Sequence, residues 1–97
     1  MIKFTVVTCT YNAEKELQRT LDSVQRQTYC SIEHIIMDGG SRDRTLQLVK
    51  AYQHRNAVGE SSHEIVVVSE PDKGLYDAMN KSIDRATGDY LVFMNAG

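Results

Sequence analysis

The 97-residue chain is 41% hydrophobic and 25% charged, ordinary values for a soluble globular domain with one modest core. Its formal net charge of −2 gives no sign of the basic patch that a general nucleic-acid binder carries, so no nucleic-acid partner is expected. A small anionic ligand stays open, because local backbone N–H groups can hold one without net positive charge.

Phe4 to Thr8 is short, β-branched and bounded by polar residues, and reads as a buried first strand. Leu17, Leu21 and Val24 then fall at helical spacing, with Asn12 as a reasonable N-cap and Glu14 and Glu16 suited to the positive end of the helix dipole. Ile32 to Met37 forms the second strand. Ser41 or Asp43 can cap the next helix, whose inward stripe reads as Leu46, Val49 and Gln53. His54 to His63 is the most polar stretch and reads as a long loop. Ile65 to Val68 is a continuous apolar run suited to a strand buried on both faces. Leu75, Ala78, Met79, Ser82, Ile83 and Ala86 repeat at helical spacing, and Gly88 sits where a helix-ending left-handed residue belongs. Tyr90 to Met94 is the fourth strand. The order predicts an α/β fold, a three-layer βαβ sheet of about four mainly parallel strands with right-handed crossovers. Residues 1–97 show no repeat, low-complexity tract or internal boundary.

Cys9 and Cys30 make no metal spacing and no CxxC pair, and read as a small buried hydrophobe and a loop thiol. The first residues run straight into the first strand without the apolar run of a signal peptide, and no stretch approaches the roughly 20 apolar residues of a membrane span. A cytoplasmic protein is the default expectation, with peripheral attachment to an inner membrane left open.

Each strand is followed by a polar or glycine-containing loop, and in an open parallel sheet these carboxyl ends share one ligand crevice. Asp38 ends the second strand, where it either accepts from a base or sugar of a ligand or caps the turn that Gly39 and Gly40 form. Thr10 and Tyr11 end the first strand, and Tyr11 either stacks on a base or closes the strand–helix corner. Asp72, Lys73 and Gly74 lie at the start of the third helix, where backbone N–H groups favour phosphate; a solvated surface lysine is the plain alternative. Asp77 and Asn80 share a helical face and either point toward the same crevice or serve solvation and a local contact.

The series Thr8-Cys9-Thr10-Tyr11-Asn12, Gln27-Thr28, Met37 to Thr45, Glu70 to Gly74, Asp77 to Lys81 and Ala86-Thr87-Gly88-Asp89-Tyr90 resembles family 2 glycosyltransferases of the GT-A fold. The likeness runs in order over essentially the whole chain and is most similar to bacterial polysaccharide-biosynthesis members. It implies the Rossmann-like, N-terminal donor-nucleotide-binding half of an enzyme that transfers a sugar from a nucleotide-diphosphate sugar to a glycan or lipid-linked acceptor hydroxyl, with inversion. It implies nucleotide-sugar contacts from Thr10, Tyr11, Asp38, Gly39, Asp72, Lys73, Gly74, Asp77 and Asn80. It also implies a divalent ion, Mg²⁺ or Mn²⁺, on the donor phosphates, held by acids just after strand four.

Two positions depart from that pattern. Gly39 stands where many relatives have a second acid, and Asn95-Ala96-Gly97 stands where many have Asp-Ala-Asp. The metal ligands are therefore incomplete here, and no residue is a candidate for the general base, which the family places downstream. A receiver domain is disfavoured because Thr10, Tyr11 and Asn12 replace its acid pair, and a dinucleotide oxidoreductase because no GxGxxG follows the first strand. A non-catalytic piece that self-associates is the competing expectation, with Tyr90 to Met94 as an exposed apolar edge that pairs two copies.

Overall fold

A computed structural model describes residues 2–27, 31–58, 63–71 and 74–94. The elements run β1 (Phe4–Thr10), α1 (Leu17–Gln25), β2 (Ile32–Asp38), α2 (Thr45–Val58), β3 (Glu64–Ser69), α3 (Leu75–Arg85) and β4 (Tyr90–Phe93). The sheet order is β3-β2-β1-β4 and every pairing is parallel, in register Thr5 to Glu33, Thr10 to Asp38, Asp38 to Ser69 and Phe4 to Tyr90. The predicted α/β sheet of four parallel strands is the one observed.

Alternation along the strands explains the three layers. Ile36 joins Ala13, Leu17, Leu21, Val49 and Tyr52 on the side covered by α1 and α2. Val7, Ile35 and Met37 turn the other way, onto Ala78 of α3. All seven residues of β2 are buried, as expected of a central parallel strand covered on both faces. His34 lies in this core with both ring nitrogens engaged, 2.8 Å from the Thr8 hydroxyl and 2.8 Å from the Tyr52 hydroxyl. Burial, with the His63 ring nearby, pushes the His34 pKa down to about 4.

Several local expectations are corrected. Asn12 does not cap α1: its φ of 48° is left-handed, and the helix starts only at Leu17, after Glu16 with no side-chain cap. Glu14 and Glu16 thus precede the helix instead of occupying its first turn. Leu17, Leu21 and Val24 are buried as expected. The second helix continues to Val58, through residues read as loop, because no glycine or proline interrupts it before Gly59. Val49 is buried as expected, with Thr45 and Tyr52, while Leu46 and Gln53 are only partly buried; Leu48, also partly buried, packs on the same core. Asp43 takes the capping role, accepting the Thr45 N–H at 2.9 Å, and this start sets the rotation of the helix. Strand β3 is half-buried, an edge of the sheet and not a strand covered on both faces. In α3, Ala78 and Ser82 are buried but Ile83 is exposed.

Gly88 is needed for space and not for a left-handed turn. A Cβ there would lie 2.5 Å from the Thr5 hydroxyl oxygen and 2.7 Å from the Thr5 backbone nitrogen. This close approach belongs to a knot at the amino ends of the strands. Glu33, 2% exposed, accepts from the Thr5 hydroxyl (2.9 Å), the Thr87 N–H (3.0 Å) and the Thr87 hydroxyl (3.0 Å). The Gly88 N–H donates to the Thr5 hydroxyl, and the Asp89 N–H to the Lys3 carbonyl at 2.7 Å. The Lys3 N–H donates in return to the Asp89 carboxylate at 2.8 Å. The turn before β4 is thereby tied to β1. Among the described residues no helix is long and apolar enough to cross a membrane.

Candidate functional site at the strand carboxyl ends

At the opposite end of β2, Asp38 is the centre of a second knot. It is 2% exposed, yet five hydrogen bonds end on its carboxylate. Oδ1 accepts from the Thr10 hydroxyl at 2.7 Å and from the Ser41 hydroxyl. Oδ2 accepts from the Gly40 N–H (3.1 Å), the Ser41 N–H (2.8 Å) and the Ser69 hydroxyl (2.9 Å). Burial pushes this carboxyl up, but the bonds from Ser41, Thr10 and Ser69 outweigh it and hold the pKa below the usual carboxylate range. One carboxylate thus joins the ends of β1, β2 and β3. Gly40 makes the turn with a φ of 86°, a conformation that favours glycine.

The first loop is laid onto the second by a series of backbone donors and side-chain acceptors. The N–H groups of Asn12, Ala13 and Glu14 donate to Ser41 Oγ (2.8 Å), Thr45 Oγ1 (2.8 Å) and Asp43 Oδ2 (3.2 Å) in turn. The Arg42 N–H donates back to Asn12 Oδ1 at 2.8 Å. The Gly39 N–H donates to the Thr10 carbonyl at 2.9 Å. These contacts satisfy backbone groups that neither strand nor helix provides for.

Above this floor lies an open cleft of about 500 Å³, walled by Cys9, Thr10, Tyr11, Gly39, Pro71, Gly74 and Ala78. That volume is in the range of small-molecule sites. Tyr11 stands at its mouth, 64% exposed. Gly74 immediately precedes α3, and Ala78 lies one turn along, so the amino end of that helix borders the cleft.

Of the predicted site residues, Thr10, Tyr11, Gly39 and Gly74 come together in the wall, and Asp38 lies beneath them. Asp77 and Asn80 are not among the described wall residues. Asp77 pairs with Lys81 at 3.4 Å, and Lys81 also reaches Glu70 at 3.2 Å, which ties α3 to the loop before it. Asn80 is exposed. Asp72 and Lys73 lie outside the described residues, as do Cys30 and Asn95-Ala96-Gly97. Asn12 and Ser41 read from the sequence as helix caps and Ser69 only as a loop residue, yet all three enter the hydrogen bonds around Asp38. Ser41 and Ser69 carry the weak signal of a hydroxyl at a strand end, but only the sheet order brings Ser69 to Asp38.

No group of three His, Cys, Asp or Glu side chains among the described residues could hold a metal ion. The positions just after β4, where the resemblance places the ligands of a divalent ion, lie outside the described residues.

A parallel α/β sheet with its cleft at the strand carboxyl ends belongs to the class whose ligands bind at that edge. The family model described as glycosyl transferase family 2 matches residues 5–96, and the chain belongs to that family. It is 37% identical over 93 residues to a PGL/p-HBAD biosynthesis glycosyltransferase of Mycobacterium bovis, covering 96% of this chain and 34% of that one. It is 40% identical over 92 residues to an uncharacterized glycosyltransferase of Mycobacterium tuberculosis, covering 94% of this chain and 32% of the relative. The chain thus spans about a third of the length of these relatives.

Among solved structures it is similar to a mannosyltransferase of Pyrobaculum calidifontis in complex with GDP-Man and Mn²⁺. The TM-score is 0.86 at 26% identity, over 98% of this chain and 27% of that one. It is also similar to S. aureus TarS in complex with UDP-GlcNAc, with a TM-score of 0.80 at 26% identity over 98% and 26% of the two chains. The arrangement is that of the GT-A glycosyltransferases.

Proposed function

We propose that this chain is the donor-nucleotide-binding part of an inverting glycosyltransferase that moves a sugar from a nucleotide-diphosphate donor to a glycan or lipid-linked acceptor hydroxyl. The observation that carries this reading is the cleft in which the ends of β1 and β2 meet the amino end of α3. Tyr11 stacks on the base, with Thr10, Asp38 and Gly39 forming the nucleoside end. The start of α3, with Asp72, Lys73 and Gly74, faces the phosphates, and Asp77 and Asn80 belong to the donor side beyond them.

The departing nucleotide diphosphate gathers negative charge, and the positive end of a helix dipole, together with a lysine, offsets it. No step is assigned to a metal ion on the described residues, and none of them is proposed as the general base. We place the reaction in the cytoplasm, with the enzyme peripheral to the inner membrane when its acceptor is lipid-linked. Residues 1–97 serve donor binding as one unit.

An NMR titration with UDP, GDP and dTDP tests the placement. The amides of Tyr11, Gly39 and Gly74 are expected to shift, and those of Gly88 and Leu91 to stay. Shifts confined to the opposite end of the sheet would overturn it.

A second reading is favoured by β4, whose four residues are all between 36% and 58% exposed along one edge. We infer that two copies pair through this strand. Sedimentation equilibrium is expected to show a dimer that Val92→Lys dissociates; a monomer across the concentration range would contradict it.

A further inference from the structure

We propose that Asn12 is a positioning residue for Tyr11, and that Asp38 acts on a bound nucleoside through the relay Asp38–Ser41–Asn12 and not by touching it. This rests on the donor-site reading above.

Two oxygens of a carboxylate offer about four lone-pair directions. Those of Asp38 already receive five protein donors, and the residue is 2% exposed beneath the cleft. A ligand N–H or hydroxyl would have to displace one of these donors and leave it unsatisfied. The effect of Asp38 is instead passed along the loops. Its partner Ser41 accepts the Asn12 N–H, and the next residue, Arg42, donates its own N–H to Asn12 Oδ1.

Tyr11 lies between two committed neighbours. The Thr10 hydroxyl is held by Asp38 and its carbonyl by the Gly39 N–H, while Asn12 is held at both its N–H and its side chain. Tyr11 itself is 64% exposed, so little packing holds its ring and the backbone sets the point from which the side chain leaves. Asn12 adopts a φ of 48°, a region that asparagine visits more readily than other non-glycine residues because its short side chain can bond locally. Alanine at this position favours negative φ and carries no acceptor, so it turns the chain and frees Tyr11. Glycine keeps the φ and loses only the acceptor.

The test uses the full 97-residue chain carrying fluorotyrosine, with the Tyr11 signal assigned through Tyr11→Phe. Without ligand, Asn12→Ala is expected to move the Tyr11 fluorine resonance, Ser41→Ala to move it in the same direction, and Asn12→Gly to move it least. Calorimetry with the nucleotide that binds adds a second readout. Tyr11→Ala is expected to weaken binding on the order of tenfold. Asn12→Ala is expected to weaken it about fivefold alone and less than about twofold when Tyr11 is already alanine, as for residues acting through one another.

A fivefold loss in both backgrounds would overturn the positioning role. So would an unmoved Tyr11 resonance in Asn12→Ala, whatever binds. A moved resonance in a chain that binds no nucleotide would uphold the positioning and overturn the donor-site reading. Should Asn12→Ala fail to fold, Ser41→Ala carries the same two readouts.

Discussion

Glu33 and Asp38 stand near opposite ends of the same strand, both 2% exposed and both surrounded by donors from neighbouring elements. Glu33 takes the Thr5 hydroxyl and both donors of Thr87, and its surroundings are closed by Gly88 and by Lys3 at 3.9 Å. Asp38 takes Thr10, Ser41, Gly40 and Ser69, and its surroundings open onto a cleft of about 500 Å³. The chemistry of the two knots is nearly identical. Their difference lies in what is tied: Glu33 fixes a turn that leads into an edge strand, whereas Asp38 fixes three loops beside the cleft. A buried carboxylate alone therefore does not mark function; the space beside it does.

The largest expected effect breaks the Glu33 side. Glu33→Ala leaves three donors without an acceptor, two of them on Thr87, and is expected to cost about 3 kcal/mol in urea denaturation. The nucleotide affinity of the folded fraction stays within about twofold of the parent, because the cleft lies at the other end of the sheet. Gly88→Ala attacks the same knot from the backbone side, at about 2 kcal/mol, since its Cβ would press on Thr5 at 2.5 Å. Hydrogen exchange is expected to show the β4 amides losing protection first.

A pH series separates the carboxylates from His34, which lies between them. Unfolded, His34 takes a proton near pH 6.5, but in the fold only near 4, so its contribution is complete above 6.5 and falls as the pH drops toward 4. The loss is on the order of 3 kcal/mol, and a His34 substitution is expected to flatten that slope. Glu33 and Asp38 both have depressed pKa values, so their contributions are present above the unfolded carboxylate range and are lost only at more acidic pH.

The Asp38 side is expected to respond differently. Asp38→Asn replaces one acceptor by an amide that faces other donors; about 2 kcal/mol of stability and about tenfold in nucleotide affinity are expected to go together. The smallest effect is Ser69→Ala, about 1 kcal/mol in stability with little change in affinity, because Ser69 holds the carboxylate from the β3 side, away from Tyr11.

Much of this architecture was legible in the sequence. Four β-branched or apolar runs separated by helical spacing predict the strands to within two residues at either end, and the loop series carries the family. What escaped is what depends on distant partners. The start of α1 is not legible, because Asn12, a good cap by type, is drawn instead to Ser41 and Arg42, some thirty residues on. Gly88 reads as a helix stop, yet its reason is Thr5, which only the β1–β4 pairing brings near. Asp38 reads from the sequence as a candidate site residue, but its saturation does not, since Thr10 and Ser69 reach it across two strand pairings. Helix α2 runs past its expected end because polar composition alone does not end a helix.

The most direct test is calorimetric titration of the folded chain with UDP, GDP and dTDP, each with and without Mn²⁺, repeated for Asp38→Asn and Glu33→Gln. The account predicts saturable micromolar to low-millimolar binding of one nucleotide, weakened about tenfold by the change at Asp38 and left nearly unchanged by the one at Glu33. A cooperatively folded chain that binds none of the three, or that loses affinity equally with either substitution, would contradict it.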